Sequence, residues 1–349
     1  MTRQGDKGTK GKLFLISLVS GAIASAFYLL PFAFHSHPAS AIVPVTPAAT
    51  TRFANPQLFH TITGHSGTVE SLAFSPDSKL LVSGGGESDT RIGLWNPVTG
   101  KKIGVIAKAH KAAVESLLIS PDGQTLASCS DDNTVNLWNL KTNKFTHTFR
   151  EHSSNVLSLA VTPDGKILAS GGLDGIRLWD LQRQRPLATL VRYDNAIQAV
   201  AISSDGETLA SGDSKGTIKL WDLRTGHYTR SFSAHSGVIT ALAFTPNGRN
   251  LVSSSRDRAV KMWRVGDGTL VRSFMGHTDW VNAIAINPDG NTLATAGKDG
   301  VRLWQLNTGE LMNSIYEHTD WVHAIAFSPD GQMLATGGFD KTIKIWRSQ

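Results

Sequence analysis

The 349-residue sequence contains a single cysteine, Cys129. An intramolecular disulfide and a cysteine-based zinc site each need at least two thiols, so both are excluded. The sequence also lacks a phosphate-binding loop of the form GxxxxGK followed by Ser or Thr. Six scattered histidines share no metal-ligand spacing, namely His35, His37, His60, His147, His227 and His323. These absences predict that the protein holds no cofactor and no metal ion.

A strong excess of basic residues is missing from most of the chain. The net charge is +6, from 34 Lys and Arg against 28 Asp and Glu. Residues 1–56 carry +4 of this charge, and the remaining 293 residues carry only +2. Nucleic-acid binding needs an extended positive surface, which is not expected for residues 57–349. We therefore predict no nucleic-acid partner.

A long hydrophobic run occurs at residues 13–34, where 22 consecutive residues carry no charge. As a helix this run would be roughly 33 Å long, which is enough to cross a bilayer. We predict a transmembrane signal-anchor here. The small-x-small sequence Ala39-Ser40-Ala41 is typical of a cleavage site, so a cleaved signal peptide is the alternative. Cleavage after Ala41 would release an exported, soluble binding protein.

The segments on either side of this run differ in charge. Residues 1–12 hold four Lys or Arg, whereas residues 35–56 hold none before Arg52. The positive-inside rule therefore predicts a cytoplasmic tail at 1–12 and places the rest of the chain on the far side of the membrane, in a periplasm, a lumen or the exterior. Residues 35–56 are rich in Pro, Ala and Thr, a composition that stays extended, so we predict a linker there.

Residues 57–349 contain seven repeats of 41–43 residues, a period that indicates a solenoid or a propeller. A tryptophan marks the end of each repeat, at Trp95, Trp138, Trp179, Trp221, Trp263, Trp304 and Trp346. A histidine lies 27–30 residues before each Trp, except in the fourth repeat, which has Tyr193 there. An Asp or Asn, usually followed by Gly, lies twelve residues after each of these positions and predicts a hairpin turn.

Each repeat is predicted to form four short β-strands, and no stretch with a helical period intervenes. The strand that follows the His is apolar on both faces, as in VNAIAI at 281–286 and VHAIAF at 322–327. Strands buried on both faces are expected where blades stack around a ring. The sequence therefore predicts an all-β fold.

Four dipeptides carry a family resemblance: Gly64-His65, Gly276-His277, Trp179-Asp180 and Trp221-Asp222. Through them, residues 57–349 resemble the WD-repeat β-propeller family. The resemblance implies a seven-bladed β-propeller with four-stranded antiparallel blades. Because the chain ends three residues after Trp346, the last blade lacks its outer strand. We predict that residues 57–62 supply this strand and close the ring, which removes an exposed sheet edge.

The resemblance also implies that one His, one Ser or Thr, one Asp and the Trp of each repeat form a hydrogen-bonded structural tetrad. The expected tetrads are His65, Ser83, Asp89 and Trp95; His110, Ser128, Asp132 and Trp138; His152, Ser170, Asp174 and Trp179; His235, Ser253, Asp257 and Trp263; His277, Thr295, Asp299 and Trp304; and His318, Thr336, Asp340 and Trp346. The same residue types build catalytic triads, but tetrads dispersed around a ring do not converge on one substrate. We therefore predict no catalytic residues.

The fourth repeat departs from this pattern. Tyr193 replaces the His, and Lys215 stands where the Asp is expected. Because both partners of one hydrogen bond change together, no single buried group is left unsatisfied. We predict that blade four is rebuilt locally and is less stable than the other blades.

Two further tryptophans, Trp280 and Trp321, each lie three residues after the periodic His of repeats six and seven. In the family this position lies on the face commonly used to bind partners, and so does the residue before the tetrad Asp. In repeats five to seven that second position is occupied by Arg256, Lys298 and Phe339. Aromatic and Arg side chains dominate binding hot spots, so these five residues are the predicted partner-binding surface. Packing between blades is the alternative interpretation.

These observations favour a non-catalytic function, in which a membrane-tethered propeller assembles partner proteins. A propeller enzyme, such as a hydrolase or a lyase with a site in the central channel, is an alternative from another class. It would need acidic or His side chains that converge on the ring axis, and the carboxylates of the tetrads do not do so.

Overall fold

The computed structural model describes residues 53–192 and 195–348, and these form 28 β-strands and no helix. Strand β1 spans Gln57–Ile62. Blade one contains β2 (Val69–Phe74), β3 (Leu81–Gly85), β4 (Ile92–Trp95) and β5 (Lys102–Ile106). Blade two contains β6 (Val114–Ile119), β7 (Thr125–Ser130), β8 (Val135–Asn139) and β9 (Lys144–Phe149). Blade three contains β10 (Val156–Val161), β11 (Ile167–Gly172), β12 (Gly175–Asp180) and β13 (Arg185–Arg192).

The remaining blades follow the same order. Blade four contains β14 (Ile197–Ile202), β15 (Thr208–Asp213), β16 (Thr217–Asp222) and β17 (Tyr228–Ser233). Blade five contains β18 (Ile239–Phe244), β19 (Asn250–Ser255), β20 (Val260–Arg264) and β21 (Leu270–Phe274). Blade six contains β22 (Val281–Ile286), β23 (Thr292–Gly297), β24 (Gly300–Gln305) and β25 (Leu311–Ile315). Blade seven contains β26 (Val322–Phe327), β27 (Met333–Gly338) and β28 (Ile343–Arg347), with β1 as its fourth strand.

The seven sheets stand around a closed ring. Each sheet is antiparallel, and its first strand in the repeat contacts the first strands of both neighbouring blades, including β26 against β2. The predicted seven-bladed propeller of four-stranded antiparallel blades is confirmed. These first strands are therefore the innermost ones and line the central channel.

The hydrophobic core lies between adjacent blades and not inside one of them. One cluster joins Val82 and Ile92 of blade one to Val114, Leu117 and Trp138 of blade two, and the other blade pairs form equivalent clusters. A blade buries both of its faces in this way, which explains why the inner strands carry apolar residues on both faces.

The ring is closed by pairing of the two ends of the propeller. Strand β1 runs antiparallel to β28, with Leu58 opposite Trp346 and Ile62 opposite Ile343. The prediction that residues 57–62 complete the last blade is confirmed. This pairing leaves β28 with a neighbour on both sides, so the last blade has no missing strand.

The packed region begins before residue 57. Phe53 lies in the range predicted as linker, yet its side chain is fully buried and packs edge-on against Phe327, with the ring centroids 5.1 Å apart. The Asn313 side-chain amide donates a hydrogen bond to the Ala54 carbonyl at 3.0 Å. The packed region therefore includes Phe53, four residues before the predicted start of the propeller at residue 57, because one aromatic side chain fills a gap beside blade seven that composition alone does not reveal.

The tail at 1–12, the hydrophobic run at 13–34 and most of the linker lie outside the described residues. The signal-anchor and its alternative, a cleaved signal peptide, both stay predictions. Within residues 53–192 and 195–348, no helix is long and apolar enough to span a membrane.

Candidate functional site

The tetrad side chains are joined by hydrogen bonds inside single blades. In blade three, His152 Nδ1 lies 2.6 Å from Asp174 Oδ1, His152 Nε2 lies 2.7 Å from Ser170 Oγ, and Trp179 Nε1 donates to Ser170 Oγ at 2.8 Å. The same three contacts occur in blades one, two, five, six and seven. Each tetrad joins the strands of one repeat, so the tetrads do not share a common centre.

In blade three, burial determines the protonation of the tetrad histidine. Burial lowers the pKa of His152 below its ordinary value, although Asp174 acts in the opposite direction. Burial alone would raise the pKa of Asp174, but hydrogen bonds from the Ser153 N–H and from His152 outweigh it, and that pKa is lowered. A neutral His152 donates from Nδ1 to the carboxylate and accepts from the Ser170 hydroxyl, so the buried polar groups of the tetrad are satisfied.

A cation that the sequence analysis missed extends the tetrads. Arg177 is buried and contacts Asp174 at 2.8 Å, and Arg302 contacts Asp299 at 2.9 Å. Both arginines lie two residues before the tetrad Trp. The recurrence of Arg or Lys at that position was the available signal, at Arg177, Lys219, Lys261, Arg302 and Lys344.

Blade four has a different arrangement around its turn. Tyr193 lies outside the described residues. At Lys215, where the tetrad Asp was expected, the backbone N–H donates to the buried Asp213 carboxylate at 2.9 Å, and the Thr217 N–H donates to the same oxygen at 2.8 Å. Trp221 still donates to Ser211 at 2.8 Å. Asp213, two positions earlier than the tetrad Asp, therefore holds this turn, while the lower stability of the blade stays a prediction.

The five residues of the predicted partner-binding surface lie together, and we call them the aromatic arc. Trp280 and Trp321 immediately precede the inner strands β22 and β26, and Arg256, Lys298 and Phe339 immediately follow β19, β23 and β27. The Trp280 and Trp321 rings meet edge-on with centroids 5.8 Å apart, and the Phe339 ring is 5.7 Å from that of Trp321. The Arg256 guanidinium lies 4.8 Å from the Trp280 ring centroid, and the Lys298 ammonium lies 5.0 Å from that of Trp321.

The arc combines packing between blades with exposure to solvent. Its rings contact each other across blades six and seven, as the alternative interpretation requires. Trp280 and Phe339 nevertheless each leave 38% of their surface exposed, and Trp321 is half-buried. The arc is therefore an ordered surface whose rings can still be covered by another molecule.

A second ring of side chains lines the channel next to the arc. Seven residues, each five positions after the periodic His or Tyr, border a cavity of about 480 Å³: Glu70, Glu115, Leu157, Gln198, Thr240, Asn282 and His323. Asp131 and Arg256 border it as well. The sequence analysis considered the tetrad carboxylates alone and missed these groups, although their constant spacing from the periodic position was a usable signal.

Two family models match the chain. One is described as IFT122 first beta-propeller and matches residues 86–264, and the other is described as WD domain, G-beta repeat and matches residues 56–96, 268–305 and 309–347. The chain belongs to the WD-repeat β-propeller family. No curated protein matches the chain. WD-repeat propellers generally bind other proteins and are typically non-enzymatic scaffolds, so the family supports a scaffold function.

The channel of this WD-repeat propeller has an unusual electrostatic environment. His323 Nδ1 lies 2.8 Å from Glu70 Oε2. Burial alone would lower the pKa of His323, but the nearby Glu70 carboxylate outweighs it, so that pKa is raised. Burial raises the pKa of Glu115 to about 7, and the charges of Asp131 and Glu70 add to this effect.

The Asp131 carboxylate also lies in an environment that disfavours its negative charge. Burial is the largest cause that raises its pKa, and Glu87 and Glu70 contribute, against a hydrogen bond from Asn155. Its Oδ1 atom is buried and has no hydrogen-bond partner among the described residues. In the described part of the chain, no three His, Cys, Asp or Glu side chains are grouped so that they could hold a metal ion.

Proposed function

We propose that this protein is a membrane-tethered, non-catalytic scaffold that binds partner proteins through the aromatic arc. The observation that carries the proposal is the set of three contiguous aromatic rings, two of them exposed by 38%, on one face of a rigid ring. Exposed aromatic clusters of this kind mark interaction sites, because Trp and Arg supply a disproportionate share of contact free energy.

The arc is pre-organised for binding. Arg256 lies over Trp280, and Lys298 lies over Trp321 while it also contacts Asp279 at 3.5 Å. These contacts restrict the side chains before any partner arrives, so less conformational entropy is lost on association. The arc residues immediately precede or follow strands of the propeller, so their backbone is already in place before a partner binds.

The tether in this proposal is the hydrophobic run at 13–34. The charge difference between its flanks supports a cytoplasmic tail at 1–12, with the propeller on the far side of the membrane.

The test is an affinity purification of the detergent-solubilised full-length protein, compared with the double variant Trp280→Ala/Trp321→Ala and analysed by mass spectrometry. The double variant Phe145→Ala/Tyr228→Ala is the matched control, because it removes two aromatic rings that are 54% and 58% exposed on outer strands. We expect that the parent and the control capture the same partner proteins and that the arc variant does not capture them. If the arc variant and the control capture the same proteins, the arc is not the interface.

The tether has its own measurement. Intact-mass analysis of the mature chain should give the mass of the uncleaved protein, and the protein should fractionate with membranes. A mature chain that begins after Ala41 would instead establish the exported, soluble form.

A further inference from the structure

Charge is distributed unevenly around the channel mouth beside the arc. Blades one and two contribute the carboxylates Glu70, Glu115 and Asp131, and blade five contributes Arg256. The Arg256 side chain lies over the Trp280 ring. The mouth therefore has an acidic side, which lies across blades one and two.

Two of these carboxylates have no ion-pair partner. Glu70 is paired with His323, but Glu115 and Asp131 form no ion pair with any residue in 53–192 or 195–348. The buried Asp131 Oδ1 also lacks a hydrogen-bond partner among those residues. A buried carboxylate oxygen without a hydrogen-bond partner is unfavourable, and each such atom in a native structure calls for an explanation.

The geometry around these groups fits a ligand that enters from outside. The cavity of about 480 Å³ falls in the range of roughly 300–1,000 Å³ that is usual for binding pockets, and it has room for an extended side chain. Burial and the neighbouring carboxylates raise the pKa values of Glu115 and Asp131, and a cation bound beside them would favour their ionised forms.

The acidic side of the mouth is continuous with the aromatic arc. His323 contacts Glu70 on one side, and its ring lies 5.9 Å from the Phe339 ring on the other. A chain segment that places one residue in the mouth therefore places its neighbours over Phe339 and Trp321. Apolar neighbours would cover these rings, and an acidic residue in the mouth would meet uncompensated carboxylates.

We infer that the channel mouth accepts the cationic side chain of a partner protein, an arginine or a lysine flanked by apolar residues, with Glu115 and Asp131 as its counter-ions and the aromatic arc beneath its neighbours. This inference rests on the proposed scaffold function, since it specifies the chemistry of the partner that the arc binds.

The probe is the capped peptide acetyl-Leu-Ala-Arg-Ala-Leu-amide, compared with the same peptide that carries citrulline, a neutral analogue, in place of arginine. Binding to the detergent-solubilised full-length protein is measured by calorimetry at pH 7 in phosphate and in Tris, which differ in ionisation enthalpy. We expect the arginine peptide to bind about tenfold or more tightly than the citrulline peptide, as a charge-assisted contact implies. Its binding should also release protons, because the incoming cation favours ionised Glu115.

Variants separate this inference from the function on which it rests. The double variant Glu115→Gln/Asp131→Asn should abolish both the difference in affinity between the two peptides and the release of protons. If the double variant does not fold, the single variant Asp131→Asn is used in its place. Asp267→Asn, on an exposed turn of blade five, should change neither. Trp280→Ala should weaken the binding of both peptides by the same factor and preserve the difference between their affinities.

Three outcomes would overturn the inference: equal affinities of the two peptides for the parent, no measurable binding of the arginine peptide at millimolar concentration, or an unchanged difference in the carboxylate variant. If the difference persists and Trp280→Ala has no effect on either peptide, the mouth binds a cation but the proposed function of the arc is wrong.

Discussion

The substitution Glu115→Gln tests whether the channel holds an uncompensated charge. Glu115 faces Asp131, Glu70 and Glu87, and His323 is the cation that acts on it. Glutamine has nearly the same shape as glutamate and no charge. The substitution therefore removes the repulsion and leaves the packing of β6 in place, so the variant should be more stable than the parent wherever Glu115 is ionised.

The magnitude follows from the pKa of Glu115, which is about 7 in the folded protein against an ordinary 4.5. Between these two pH values the folded state binds more protons than the unfolded state, so the stability contributed by protonated Glu115 falls as the pH rises. The full difference corresponds to about 3 kcal/mol. Because Glu115 is partly solvated, we expect the variant to gain about 1–3 kcal/mol at pH 8 and close to nothing below pH 4.5.

The assay is thermal unfolding of both full-length proteins in detergent, followed by tryptophan fluorescence from pH 4.5 to pH 8. For a propeller of this size a gain of about 2 kcal/mol raises the Tm by roughly 4 °C, and the gain should appear between pH 5 and pH 7. Taking the difference between parent and variant at each pH cancels the pH dependence that both proteins share.

Glu70→Gln is the matched control, because Glu70 occupies the equivalent position in blade one and is paired with His323. Its loss leaves the half-buried His323 without its counter-ion, so this variant should be less stable than the parent at pH 6. The reasoning is refuted if Glu115→Gln lowers the Tm at pH 8, or if both substitutions shift it by the same amount and independently of pH.

Three further predictions concern the fold. Phe53→Ala should destabilise the protein by about 3–5 kcal/mol, measured by urea unfolding, because it empties a fully buried site beside blade seven; an unchanged midpoint would show that Phe53 is not part of the packed region. Deletion of residues 57–62 should lower the Tm, because it exposes β28 as an edge strand; an unchanged Tm would reject the closure. Amide exchange should be faster in blade four than in blades three and five, and Asp213→Ala should accelerate it further; equal protection in all blades would argue against the local weakness.

The periodic part of the sequence was sufficient to predict the blades. Tryptophans at intervals of 41–43 residues determine the number of repeats, and the turn dipeptides divide each repeat into strands. The positions equivalent to Trp280 and Arg256 also follow from the period, because residues with the same offset in adjacent repeats occupy equivalent places in adjacent blades. The spacing therefore predicted that these residues are neighbours, and the family resemblance predicted the face on which they lie.

Features that interrupt the period escaped the sequence analysis. Phe53 precedes the first repeat, and Asp213 lies two positions before the expected tetrad Asp. Neither belongs to a recurring offset, so nothing in the neighbouring repeats identified its partner. Each depends on a contact that exists only after the ring has closed or the turn has formed.

The sequence by itself determined the seven-bladed ring, the strand order and the residues that meet in the aromatic arc, because these depend on local strand patterning repeated at a constant interval. Tertiary structure alone decided which charges are compensated. Glu70 and Glu115 have the same offset in consecutive repeats, yet only Glu70 meets a histidine, since closure of the ring brings blade seven next to blade one. Electrostatic energies depend on the distance between groups and on their burial, and in this ring both are determined by closure.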